Sequence, residues 1–155
     1  MKLENRFCTF YVNGMLFGIA VENVREVVTH HKTTPVPLAR PEVEGLMNQR
    51  GQVVVALDLR RRLGFPERAA NQQPMIVSVI CANRTVNLLV DEIGDMVKSN
   101  PDQWRPVPPT LQGVGRDLIT GAFTLKEKLL LVLDLEKTVD LARAKAATAH
   151  QPALV

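Results

Sequence analysis

Few residues in this chain are of types, or at spacings, that could do chemistry. Its three histidines are His30, His31 and His150, and the adjacent pair points to opposite sides of an extended backbone rather than making a two-ligand face. No pair among these histidines and the two cysteines, Cys8 and Cys81, has metal-ligand spacing, so no metal is expected. Ser78 and Ser99 lack a Gly-flanked elbow, and neither cysteine sits beside a basic group or a helix start. Gly113-Val114-Gly115 lacks the third glycine and the preceding strand of a phosphate loop. Asp58, Asp91 and Asp134 each follow or end an apolar run, where a carboxylate more often caps the next helix than acts as an acid. The expectation is no catalysis and no cofactor. A hydrolase with an unrecognised site would need paired carboxylates in a deep polar pocket.

Polar groups at turns are the other class of candidate, because a rigid β scaffold presents binding residues there. Arg50 lies between Asn48-Gln49 and Gly51. It reads either as a solvated turn residue or as a planar fork of donors offered to a partner carboxylate. Glu26 reads as a solvent-facing residue or as part of the same surface. Trp104 beside Arg105 suits an interface anchor or a ring packed over a barrel end. Position alone leaves these alternatives open.

The elements that must position such residues are short strands. The chain has 155 residues, 46% apolar, 23% charged and only 5% aromatic, with ten Pro and nine Gly, so Val, Leu, Ile and Met must fill a turn-rich core. Phe7 to Val12, the Asn13-Gly14 turn and Leu16 to Ala20 read as a hairpin. Val21 to Val28 shifts to helical spacing for one turn before running on as a strand. Thr33 to Pro37 must be extended, and a short helix is expected over Pro41 to Val43. Gly45 to Asn48 is a strand, Gln49-Arg50-Gly51 a tight turn, and Val53 to Leu57 a strand buried on both faces. Leu59 and Leu63 suit a short helix stopped by Gly64, and residues 67–73 form a polar connection.

The second half repeats this grammar. Met75 to Ala82, a turn at Asn83-Arg84 and Val86 to Val90 make a second hairpin, and Asp91 to Val97 resembles Glu22 to Val28. A Pro-rich stretch leads to Leu118 to Phe123 and Leu129 to Leu135, which mirror Val43 to Asn48 and Val53 to Leu59. Such self-similarity points to two related β-barrels in a mainly all-β chain.

The formal net charge is +3, and the basic run Arg60-Arg61-Arg62 has no interleaved aromatics on which bases would stack. Nucleic acid is therefore not the expected partner, and a basic nucleic-acid-binding barrel is the remote alternative. Two cysteines inside apolar runs read as small buried hydrophobes. Met1 to Arg6 is too polar to open a signal peptide, and no apolar stretch reaches the ~20 residues of a membrane span, so a cytoplasmic protein without membrane insertion is expected.

Taken in order, several stretches resemble the CheW-like domain family. They are Gly18-Ile19-Ala20-Val21, Val24-Arg25-Glu26-Val27 and Thr34-Pro35-Val36-Pro37, then the run Val43 to Gly51 and Leu57-Asp58-Leu59-Arg60. Leu89 to Ile93, Ile119-Thr120-Gly121 and Leu129 to Leu135 carry the likeness through the second half, so that it covers residues 7–141. The resemblance implies two SH3-like five-stranded β-barrel subdomains around a shared core, near residues 10–73 and near 5–9 with 74–138. A tail over 142–155, helical or disordered, would follow.

The resemblance also implies a non-catalytic adaptor. Such a protein bridges the cytoplasmic hairpin tip of methyl-accepting chemoreceptors and the regulatory domain of the histidine kinase CheA. Other CheW-like domains join it in rings, at receptor arrays on the inner face of the membrane. An adaptor of a chemotaxis-like pathway governing pili or development fits the same likeness. By motif position, Glu26 and Arg50 fall on the receptor-binding surface, and Val24 and Gly45 near the kinase contact. Three residues depart from the pattern: Val55 where many relatives have Pro, Asn87 where they have Gly, and Gln49 where an apolar residue is usual. Asn tolerates positive φ, which leaves the expected fold unchanged, whereas Gln49 bears on the shape of the receptor surface.

Overall fold

The computed structural model describes residues 6–29, 32–109 and 111–140. The first hairpin is β1 (Arg6–Val12) and β2 (Met15–Ala20), and a 3-10 turn over Val21–Asn23 leads into β3 (Val24–Thr29). A second hairpin, β4 (Val43–Gln49) and β5 (Gln52–Asp58), runs directly into the short helix α1 (Leu59–Arg62). The third hairpin is β6 (Met75–Cys81) and β7 (Arg84–Val90), followed by β8 (Glu92–Lys98). The two-residue β9 (Trp104–Arg105) and the helix α2 (Val114–Asp117) precede a last hairpin, β10 (Ile119–Thr124) and β11 (Leu129–Leu133).

Turn chemistry sets the tight hairpins. Asn13-Gly14, Arg50-Gly51 and Ala82-Asn83 all take positive φ at both central residues, the geometry that matches the twist of the flanking strands. The third turn therefore sits one residue earlier than Asn83-Arg84, because Arg84 already pairs with Cys81 in the ladder. No helix forms at Pro41 to Val43. The chain instead turns there, with Val43 N donating to the Arg40 carbonyl at 3.0 Å, and Val43 then pairs with Leu57.

The strands assemble into two sheets, ordered β8-β1-β2-β11-β10-β9 and β3-β6-β7-β5-β4. Each joins a first hairpin to a second through one parallel pair, β2 with β11 and β5 with β7. The internal repeat is thus present in space, but its halves interlock. β3 follows β2 yet pairs with β6, and β8 follows β7 yet pairs with β1.

One apolar cluster is shared between the sheets: Phe10 and Phe17 from the first meet Leu57, Val77 and Leu88 from the second, with Leu59 and Leu63 of the α1 region. Each such side chain contributes about 1.5–3 kcal/mol by leaving water. Asp58 caps α1, accepting from Arg60 N at 2.9 Å, and Gly64 at φ +83 ends the turn. Asp134 does the same for the helical residues 135–140, accepting from Lys137 N at 3.1 Å. The tail over 142–155 lies outside the described residues.

Asp91 is not a helix cap. It is buried between β7 and β8, where Arg60 Nη2 lies 2.8 Å from it, Arg68 Nε 3.0 Å, and the Asn13 backbone N–H donates at 2.8 Å. Burial pushes its carboxyl up, but the donors from Arg60, Asn13 and Arg68 together outweigh that and hold it below the usual aspartate range. The cluster fastens α1 and the following loop to the tip of the first hairpin.

Candidate functional site

Arg50 stands at the tip of the β4–β5 hairpin at φ +54, unusual for a residue with a Cβ. The Asn48 side chain stiffens this turn, its Oδ1 accepting from Gly51 N at 3.1 Å. The Arg50 side chain then reaches Glu26, with Nη2 2.6 Å from Oε1. Glu26 lies on β3 just past a bulge between Val24 and Glu26, an irregularity that re-aims a side chain. β3 and β4 are opposite edges of their sheet, so the pair joins the two edges. The Arg50 side chain is 65% exposed and that of Glu26 only 19%, so the guanidinium faces outward.

Glu26 has a second partner. Gln49 Nε2 donates to its Oε2 at 2.9 Å and to Ser78 Oγ at 3.1 Å. Asn87 Nδ2 donates to Gln49 Oε1 at 2.6 Å, and Ser78 Oγ donates to Asn87 Oδ1. The Gln49 hydrogen bond, ahead of the contributions from Arg50, holds the Glu26 carboxyl below its ordinary range against an opposing effect of burial. Ser78 and Asn87 are fully buried. Asn87 keeps ordinary strand backbone rather than positive φ, so its amide group, not its conformational tolerance, is what the position uses.

Beside this constellation lies a groove of about 820 Å³. Val53 and Ile80 supply its exposed apolar surface at 70% and 39% exposure, and Arg25 and Arg84 its charged rim. Val139, in the helical residues 135–140, also lines it. Val53 corrects the expectation that Val53 to Leu57 is buried on both faces. Val54, Ala56 and Leu57 are buried, whereas Val53 is exposed and Val55 half-buried, both lining the groove.

A family profile described as the CheW-like domain matches residues 6–143. The chain belongs to the CheW-like domain family. It is 27% identical over 154 residues to the chemotaxis protein CheW of Bacillus subtilis strain 168, covering 97% of each chain. It is 25% identical over 138 residues to the chemotaxis protein CheW of Rhizobium meliloti, covering 89% of each. Similarity extends to the protein PilI of Pseudomonas aeruginosa, 25% over 122 residues, with 79% of this chain and 68% of that one covered. Among solved structures, the scaffolding protein TtCheW from Thermoanaerobacter tengcongensis superposes with a TM-score of 0.79 at 22% identity, over 88% of this chain and 92% of that one. That likeness shows the fold, two SH3-like subdomains.

Within this CheW-like domain, Glu26 and Arg50 are brought together, whereas Val24 and Gly45 take no part in their constellation. Val24 opens β3, pairs with Val79 and packs its half-buried side chain on the shared core. Gly45 is buried after a bulge in β4, where a Cβ would lie 2.5 Å from the Thr34 carbonyl oxygen. Its role is to let the Thr34 strap seat on β4 through the paired hydrogen bonds of Thr34 and Leu46, both 2.8 Å. Gln49, Ser78 and Asn87 were not among the expected site residues. The signal for them was the polar Gln49 and Asn87 at places where the family pattern is apolar or glycine.

The other chemical candidates have structural partners or lie outside the described residues. Trp104 packs edge-on against Phe123 at 4.8 Å and covers Gly121. Burial pushes the Cys8 thiol up, and Cys81 is buried. His30, His31 and His150 fall outside the described residues. Among the described residues, no helix is long and apolar enough to cross a membrane, and no group of three or more His, Cys, Asp or Glu is placed to hold a metal.

Proposed function

We propose that this chain is a non-catalytic coupling adaptor that binds the cytoplasmic hairpin tip of chemoreceptors and the regulatory domain of the CheA kinase. The observation that carries this reading is the Glu26–Arg50 pair standing beside an apolar groove with a basic rim. A helical hairpin docks by laying an apolar stripe into such a groove, and rim charges set its register. Arg50 meets a receptor carboxylate and Glu26 holds Arg50 in place. Val24 and Gly45 belong to the kinase side, Gly45 acting through the exposed Thr34–Pro35 strap that it seats. The protein works in the cytoplasm and is recruited to receptor arrays, where clustering supplies avidity beyond any single contact. Likeness to PilI supports a second reading, the same adaptor role in a chemotaxis-like pathway with another output.

A pull-down with receptor signalling fragments and kinase separates these statements. Wild type is expected to bind both and to support receptor-dependent kinase activation. Arg50→Glu and Glu26→Lys should stay folded, keep the kinase regulatory domain and lose receptor-dependent activation. Normal activation by both variants would remove these residues from the site. Failure of the wild type to bind any kinase regulatory domain would overturn the adaptor reading.

A further inference from the structure

We infer that Gln49 is a positioning residue, which fastens Glu26 to a buried ring of hydrogen bonds so that Arg50 is presented to a partner carboxylate with donors to spare. The ring is closed and runs in one direction: Gln49 donates to Ser78, Ser78 to Asn87, and Asn87 back to Gln49. Bonds in such a cycle polarise one another, and two of its three members are fully buried. Both amide hydrogens of Gln49 are engaged, one on Ser78 and one on Glu26 Oε2.

The consequence falls on Glu26. Its carboxylate is held at both oxygens, Oε2 by Gln49 from the interior and Oε1 by Arg50 from outside. An exposed arginine alone would hold it weakly, since a pair open to water gains little and is screened. With the carboxylate already fixed from below, Arg50 contributes only Nη2. Among the described residues its Nε and Nη1 donate to no other group, and the side chain is 65% exposed. A planar guanidinium held at one corner, with its other edge open, suits two-point recognition of a carboxylate.

The fold does not require the ring. In the other sheet the matched places are Thr9 opposite Gly18, with Leu125 where Gln49 stands. There Thr9 Oγ1 donates to the Asp95 carbonyl, no side-chain ring forms among the described residues, and Leu16, Phe123 and Leu130 pack as an apolar cluster. The three-member side-chain ring occurs on the side where Glu26 and Arg50 are.

This inference rests on the docking reading above for its purpose, but its first test needs no partner. In the isolated protein, NMR titration of the Glu26 carboxyl is compared between wild type and Gln49→Met/Ser78→Ala/Asn87→Ala, which removes the whole ring and strands no buried polar group. Arg25 and Arg50, the cations that face Glu26, are unchanged in both. The Glu26 carboxyl should titrate higher in the triple variant, towards the ordinary glutamate range. An unchanged titration in a folded triple variant overturns the inference. If the triple variant does not fold, Gln49→Met alone is expected to give the same upward shift, and the absence of that shift overturns the inference equally.

The second test measures binding of a receptor hairpin fragment. Loss of the ring should weaken it about three- to tenfold, as for modest coupling between residues in contact. Arg50→Ala should then cost less affinity in the ringless background than in wild type. Equal losses in both backgrounds contradict the inference. Failure of wild type to bind the fragment counts against the docking reading instead, and leaves the Glu26 titration to decide the role of Gln49.

Discussion

In the first sheet the β1–β2 register sets Thr9 opposite Gly18, and Gly18 in turn lies beside Val132 on the parallel neighbour β11. In the second sheet the same pattern sets Ser78 opposite Asn87, and Asn87 beside Ala56 on β5. The glycine leaves space that Leu130 enters, its Cδ1 only 2.9 Å from where a Cβ would stand. The asparagine fills the equivalent space with an amide that binds Gln49. One strand plan therefore tolerates an apolar plug or a polar ring. The ring accordingly serves the surface above it, the Glu26–Arg50 edge, rather than the closure of the sheet.

The largest effect should come from cutting what fastens the two sheets together. Asp91→Ala leaves the largely buried side chains of Arg60 and Arg68 without their shared carboxylate, Arg68 keeping only its longer pair with Asp58, which should cost about 3 kcal/mol in chemical denaturation. Its pH signature follows from the depressed carboxyl. The stabilisation is complete above the ordinary aspartate range and is lost as pH falls through the lower folded value. Asp91→Asn should accordingly lose less stability than wild type between neutral and acid pH.

The two matched glycines set the sheets against each other more finely. A Cβ at Gly45 meets the Thr34 carbonyl oxygen at 2.5 Å, and its φ of +155 also disfavours a side chain. At Gly121 a Cβ meets the Trp104 ring at 2.1 Å, and because Trp104 is 41% exposed, the ring has solvent to yield into at the cost of its contact with Phe123. Gly45→Ala should cost about 2–3 kcal/mol, and Gly121→Ala about 1 kcal/mol. Only the latter should red-shift tryptophan emission, because Trp104 is the chain's one tryptophan.

Opening the ring comes third in size. Asn87→Ala leaves Ser78 and Gln49 each short of a partner inside the sheet, an expected loss of about 1–2 kcal/mol by thermal or denaturant unfolding. Arg50→Ala has the smallest effect on stability, with no resolvable change in midpoint, because its ion pair is open to water. Its effect belongs to binding.

Much of the fold was legible because local chemistry specified it. Asn13-Gly14, Gly51 and Gly64 mark turns by their backbone freedom, and the apolar runs between them are strands. Sheet partners were not legible in the same way. That β3 crosses to β6 and β8 to β1 depends on contacts far apart in sequence, which no local period encodes. Val53 looks like its buried neighbour Val54 and half-buried Val55 in the sequence, and only the folded edge shows that it is exposed on the groove. Arg50 and Glu26 were legible as polar turn and strand residues matching a family pattern. Gln49 and Asn87 stand out in the sequence as departures from the family pattern, but Gln49, Ser78 and Asn87 come from three different strands, and only the sheet brings them within hydrogen-bond reach.

Everything proposed for Arg50 depends on the receptor docking on the Glu26–Arg50 side of the second sheet. NMR mapping of a receptor hairpin fragment on the isotope-labelled protein tests that directly. Shifted amides should cluster around residues 24–27, 49–54 and 80–86, with the Arg50 guanidinium signals among the most affected. A cluster instead on the first sheet, around Met96, Trp104 and Leu129, would contradict it.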